Sequence, residues 1–234
     1  MRLVLAFLIS LASVSVAAAA NTAPAAAPAA PAPAAEPVSP PVRFDWQGEH
    51  KKAQAALTAK DYKTAIKIFT DIIGSGRLPK NWIAPTYYMR GKAYRSDHKY
   101  DLAVTDYQAA VQVDPNLDIA YYEMGAAYQE LGNHGKAIES FNRAIALKGD
   151  NAGYLYARCV SESWISKFGD AANDCRKASH LKPGDADMLA TLGRLYEDQG
   201  QKAEAMDTYK AALAINPNQA EAKEGLEFLT KKGH

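Results

Sequence analysis

Five histidines (His50, His98, His134, His180 and His234) and two cysteines (Cys159 and Cys175) are the side chains in this 234-residue chain that could bind a metal or attack an electrophile. No two histidines stand at a ligand spacing. There is no HExxH or GxSxG motif, and no glycine-rich loop is placed to cradle phosphate. The cysteines form no CxxC motif, which argues against a thiol–disulfide enzyme. The carboxylates are dispersed in the same way, so we expect no catalytic residue, no metal and no cofactor. With 27 basic and 26 acidic residues the chain has no positive excess to neutralise phosphates, and nucleic acid is not expected as a partner.

What recurs along the chain is an element rather than a reactive group. Tyr121, Met124, Gly125 and Tyr128 lie at i, i+3, i+4 and i+7, and Ala137, Phe141 and Ala144 lie at i, i+4 and i+7. Each set marks one face of a helix, and the break at Gly132 and Asn133 makes the pair a helical hairpin. Ala103, Ala137, Ala171 and Ala205 repeat at a spacing of 34 residues. Twelve residues before them stand Gly91, Gly125, Cys159 and Gly193; four after them stand Tyr107, Phe141, Cys175 and Tyr209. Ala110, Ala144, Ala178 and Ala212 come next, then Pro115, Gly149, Pro183 and Pro217. Small residues let two helix axes approach, aromatic rings wedge beside them, and proline ends the second helix.

This series resembles the tetratricopeptide-repeat family, whose 34-residue helix–turn–helix unit carries an aromatic residue, Leu-Gly, Tyr, Ala, Phe, Ala and Pro in that order. Leu189, Leu192, Gly193, Tyr196, Ala205, Tyr209, Ala212 and Pro217 fit the pattern nearly throughout. The resemblance covers about residues 46–219. It implies an all-α fold, a right-handed superhelical solenoid of about five helical hairpins, with units near 46–83, 84–117, 118–151, 152–185 and 186–219. Residues 220–232 carry an apolar stripe of Ala222, Leu226 and Leu229 and are expected to form a capping helix. The first unit departs from the pattern: Ala53 replaces the glycine, and Ala65 lies 38 residues before Ala103. We assign the four extra residues to a loop over 74–81, and Pro85 to the first turn of the helix that follows.

The fourth unit carries Cys159 where its neighbours have glycine, Glu162 where they have tyrosine and Cys175 where they have an aromatic ring. The two cysteines face each other across the hairpin, so a disulfide is expected in an oxidising compartment. The alternative is a pair of buried thiols acting as small apolar fillers. Such a compartment is suggested by Arg2, the apolar run over residues 3–16 and the small residues Ala17 to Ala20, the layout of a signal peptide over 1–20. The run falls short of the roughly 20 residues that cross a bilayer, so no transmembrane segment is expected after cleavage. An Ala/Pro-rich linker over 21–43, expected to be disordered, separates it from the repeat domain over 44–234.

The resemblance implies a function in binding. First helices of stacked repeats line a concave groove that holds a peptide or a partner's helix. Tyr88, Tyr122 and Tyr156 turn towards it as a ladder, joined by Lys92, Arg95, Gln129 and Arg194. Lys92 and Arg95 make the early groove basic, whereas Asp187, Glu197 and Asp198 make the late groove acidic. The lysine and asparagine pairs of chaperone-binding members are missing, so a chaperone's C-terminal tail is not the expected ligand. The expected protein is therefore an exported, non-catalytic scaffold in the bacterial periplasm with a protein or peptide partner. Self-association as a homo-oligomer, or service as an accessory subunit of an envelope enzyme, is the alternative. Trp164 either borders the groove or packs against the next repeat, and the latter is the commoner fate of such a residue.

Overall fold

The structure, a computed structural model, describes residues 44–231. The expected leader and linker, and residues 232–234, lie outside the described residues. Among the described residues there are eleven helices and no strand. They form five antiparallel pairs: α1 (Trp46–Thr58) with α2 (Tyr62–Gly74), α3 (Lys80–Ser96) with α4 (Tyr100–Val113), α5 (Asp118–Glu130) with α6 (His134–Leu147), α7 (Ala152–Trp164) with α8 (Phe168–Leu181), and α9 (Ala186–Asp198) with α10 (Lys202–Ile215). A single helix, α11 (Ala220–Lys231), follows. Each pair packs on the next, giving a solenoid. No helix among the described residues is long and apolar enough to cross a membrane.

The core is built from the 34-residue series. Ala65, Ala103, Ala137, Ala171 and Ala205 are fully buried, as are Phe69, Tyr107, Phe141 and Cys175. The glycines are there because the rings are: a Cβ on Gly125 would lie 2.5 Å from the Phe141 ring, and one on Gly193 would lie 2.6 Å from the Tyr209 ring. In the fourth hairpin the same two places hold Cys159 and Cys175, whose Cα atoms are 5.6 Å apart and whose sulfurs are bonded in this structure. A covalent link thus occupies the place of the glycine–ring wedge. Asp45, Asp61, Asn133, Asn151 and Asp185 cap their helices by accepting from backbone N–H groups of the first turn.

Three expectations are corrected. The four extra residues of the first unit do not enlarge a loop: they add one turn to the start of α3, which has 17 residues where α5 has 13. That turn is held by Trp82, whose ring lies 5.1 Å from Trp46 and 5.1 Å from His50, so aromatic packing pays for the extension. Pro85 is consequently interior to α3 rather than in its first turn, and it removes the amide that would bond to the carbonyl of Asn81. Trp164 does not pack on the next repeat. It is 70% exposed and stacks at 5.3 Å on His134 of the preceding one. The capping helix ends at Lys231 within the described residues, with Ala222 and Leu229 buried against Ala190, Tyr209 and Ala212.

Candidate partner-binding groove

Successive first helices touch directly, α3 to α5, α5 to α7, α7 to α9 and then α9 to α11; among the described residues no comparable contact joins successive second helices. The first helices are therefore the closer-spaced layer, the inner wall of a curved stack. Gly91, Gly125 and Gly193 let each first helix settle on the second helix of its own hairpin, which leaves the opposite face of that first helix towards the curve.

On that face two of the predicted tyrosines rest on the ring of their own hairpin, and the third rests on the cysteine pair that replaces it. Tyr88 lies 6.1 Å from Tyr107, and Tyr122 lies 5.9 Å from Phe141. Tyr156 covers the cluster around Cys159 and Cys175, and its hydroxyl is 3.1 Å from that of Thr191. All three are half-buried. Burial, followed by the nearby Glu123 carboxylate, pushes the Tyr88 hydroxyl up to about 12, so it stays a neutral donor at any ordinary pH. Tyr122 is raised for the same two reasons, in the same order.

The predicted ladder is not continuous through these three rings. The ring that stacks on Tyr122 is Tyr154, at 4.9 Å and 25°, and its hydroxyl donates to Asp118 Oδ2 at 2.8 Å. Sequence reasoning missed Tyr154 because the family pattern puts no aromatic there; the available signal was that Thr86, Ala120 and Met188 stand at its place in the other repeats.

The predicted polar residues divide into two groups. Arg95 faces Glu123 across the repeat boundary at 2.9 Å, so its charge is offset by a carboxylate the sequence did not single out. Gln129 donates to the carbonyl of Ala157 at 3.0 Å and to Ser161 Oγ at 2.8 Å, which ties α5 to α7. Arg194 Nε donates to Glu221 at 2.8 Å, and its Nη1 reaches Asp198 at 3.3 Å and Ser163 Oγ at 3.4 Å. These three act as ties between repeats. Lys92 is different: it is exposed and has no ion pair among the described residues. Beyond Arg194 the wall opens into a depression of 630 Å³ between α9 and α11, with Glu197, Asp198, Glu221 and Glu224 on its lining. The groove therefore runs, among the described residues, from aromatic rings and the unpaired Lys92 to an acidic end.

Such a surface has the parts for holding a chain: flat rings fixed from beneath, hydroxyl donors, and charge of opposite sign at its two ends. Among the described residues no group of histidine, cysteine and carboxylate side chains could hold a metal ion.

Comparison with known proteins agrees with this architecture. Family models described as TPR repeat match residues 91–132, and those described as tetratricopeptide repeat match residues 119–151 and 166–227. The small glutamine-rich tetratricopeptide repeat-containing protein 2 of Saccharomyces cerevisiae is 35% identical over 138 residues, 59% of this chain and 38% of that protein. The heat shock protein STI1 of the same yeast is 32% identical over 101 residues, 43% of this chain and 17% of that protein. The chain thus spans well under half the length of these curated relatives. Among solved structures, a MamA protein superposes with a TM-score of 0.68 at 24% identity, covering 75% of this chain and 94% of its own. YrrB, described as having an unusual peptide-binding site, superposes with a TM-score of 0.68 at 16% identity, covering 78% of this chain and 92% of its own.

Proposed function

We propose, from the premise that this chain is a tetratricopeptide-repeat protein, that it serves as an exported, non-catalytic adaptor holding an extended segment of a partner protein along its inner wall. The observation that carries this reading is the set of half-buried rings, Tyr88, Tyr122 and Tyr156, each packed from beneath by its own hairpin, with Tyr154 stacked beside Tyr122. Rings so fixed lose little entropy when a ligand settles on them, and they combine an apolar face with a donor. Lys92 would meet an acidic residue of the ligand at one end, and the carboxylates around Arg194 would meet a basic one at the other. Export to the periplasm is supported by the composition of residues 1–20, and it suits a Cys159–Cys175 bond, which persists in oxidising compartments.

The test is affinity capture from envelope extract with the full chain, beside a Tyr88→Ala, Tyr122→Ala, Tyr156→Ala variant shown by circular dichroism to keep its helicity. We expect a partner that the native chain retains and the variant loses. Equal retention by both would remove the inner wall from the function. Export is tested separately by the N-terminus of the mature protein, which should lie close to residue 21; recovery of an intact Met1 in the cytoplasmic fraction would overturn it.

A further inference from the structure

The outer face of the solenoid is not uniform from repeat to repeat. In the hairpin of α3 and α4, Arg90 makes a two-pronged bond to Asp106, at 2.7 Å from both Nε and Nη2, and reaches back to Thr70 on α2 at 3.2 Å. Two repeats later Arg158 does the same with Asp174, at 2.5 Å and 2.9 Å, and reaches back to Asn142 on α6 at 2.7 Å. Each arginine fills the furrow between its own second helix and the preceding one. In the alternate repeats, Met124 with Ser140 and Leu192 with Thr208 stand at those places, and among the described residues no salt bridge fills the furrow.

Depressions open there. Over α5 a cavity of 350 Å³ has Tyr121, Met124 and Tyr128 among its lining, with Lys136 and Arg143 at its edge. A second cavity of 350 Å³ adjoins it, sharing Tyr121 and Arg143 and adding Pro115 and Leu147. Arg143 therefore lines two hollows of mixed character: the first sets Met124 and two tyrosine rings beside Gln108 and Ser140, and the second sets Pro115, Ala146 and Leu147 beside the Arg143 guanidinium. It is exposed and makes no ion pair among the described residues. Lys136 Nζ sits 5.5 Å above the Tyr128 ring, and it too has no ion pair among the described residues. Glu139 is the one carboxylate in the lining of the pair, so two cations face one anion.

The geometry points to a second recognition site on this outer face, for a peptide segment with an acidic residue flanked by two apolar side chains. One apolar side chain enters each hollow, and the carboxylate between them meets Arg143. Apolar contact supplies area, while the excess of positive charge selects the acidic segment and repels a basic one. The corresponding hollow over α9, lined by Leu189, Leu192 and Tyr196, is arranged differently: Ala211 stands where the first has Arg143, and its charged groups are Arg176 and His180 of α8 with Asp207 of α10. This site is separate from the inner wall and does not depend on it.

The experiment is selection of a random dodecapeptide display library on the immobilised full chain, followed by affinity measurement of the enriched peptides by fluorescence polarisation. Three variants are compared. Met124→Arg with Ser140→Asp copies the arginine–aspartate pair that two neighbouring repeats already accommodate, and closes the furrow. Arg143→Ala removes an exposed charge and leaves the core untouched. Tyr122→Ala alters the inner wall at a residue that lines neither hollow. We expect enriched peptides with an acidic residue between apolar ones. Their affinity should fall at least tenfold in the closing variant and severalfold in Arg143→Ala, and stay unchanged in Tyr122→Ala. Peptides without an acidic residue, affinity insensitive to closing the furrow, affinity lost in Tyr122→Ala, or no enrichment at all would each overturn the proposal.

Discussion

Glu162 stands where α3, α5 and α9 carry Tyr94, Tyr128 and Tyr196, and it is buried with Oε2 unpartnered. Burial, then the nearby Asp174 carboxylate, pushes its carboxyl up to about 7, against the partial relief of Arg158 at 3.9 Å. An acid whose folded value lies above its unfolded value contributes stability that is present below about 4.5 and is lost as pH rises through 7. Glu162→Gln should therefore be near neutral at about pH 5 and stabilising by on the order of 2 kcal/mol at about pH 8, from about 1.36 kcal/mol per pKa unit. Urea unfolding at the two pH values checks this, and an equal effect at both would contradict it. His50 works from the other side. It is buried between Phe69 and Trp82 with Nε2 unpartnered, and burial holds its imidazole below 6.5. Its neutral form is the folded one, so stability is present above 6.5 and falls as acid protonates the unfolded chain first. In His50→Phe the loss of stability between about pH 7.5 and about pH 5 should shrink; an unchanged acid limb would mean that His50 is not its source. Neither effect was legible in the sequence. Glu162 was visible as a departure from the tyrosine pattern, but Asp174, the charge that raises it, lies on α8, and His50 owes its burial to Trp82 on a different helix.

The hairpin itself was legible to the residue wherever small and large groups alternate at fixed spacing. Gly125 against Phe141 and Gly193 against Tyr209 are pairs sixteen residues apart that a period of 34 brings into the same register each time. Adding a methyl group there forces the ring aside, so Gly125→Ala should cost roughly 1–3 kcal/mol as overpacking. Thermal unfolding that matched the native chain would mean the ring has room to move. The turn between the two helices was only half legible. Gly132 and Gly200 have φ of +70° and +74°, and glycine announces them, but Lys60, His98 and Ser166 adopt the same left-handed conformation at +61°, +57° and +60°. A side chain in that region costs about 1–2 kcal/mol, offset in part by the roughly 0.5–1 kcal/mol of extra entropy that glycine loses on folding. Ser166→Gly should thus raise the midpoint of thermal unfolding, in contrast to glycine placed inside α7, which should lower it. The extra turn of α3 escaped the sequence for a related reason. Gly74, Gly76 and Pro79 do mark a break, but residues 80–83 suit either loop or helix, and the decision is made by Trp82 meeting Trp46, a contact that local sequence does not encode. The arginines at 90 and 158 were equally hidden, since their partners are sixteen residues away and their meaning lies in alternation between repeats.

At the scale of the whole molecule the stack is a row of units, each burying its apolar face on its neighbours, and so the two ends are special. The first end is closed by Trp46, His50 and Trp82, and the last by α11, which lays Ala222 and Leu229 over Ala190, Tyr209 and Ala212. Its apolar stripe was legible because a helical period survives in residues flanked by charge. Without α11, Tyr209 would be uncovered on the side where Gly225 now approaches its ring, and Arg194 would lose Glu221. That would leave an open apolar edge of the kind that another copy can cover. Truncation before Ala220 should accordingly lower the unfolding midpoint and shift the protein towards larger species as its concentration rises, measured by sedimentation velocity against the full chain. Because nearest-neighbour terms dominate such stacks, the loss should be greatest in α9 and α10 and fade towards α3, which amide hydrogen exchange can resolve helix by helix. Protection that fell evenly from α3 to α10 would mean the solenoid unfolds as one cooperative block, and an unchanged sedimentation profile would mean α11 covers nothing that water does not already tolerate.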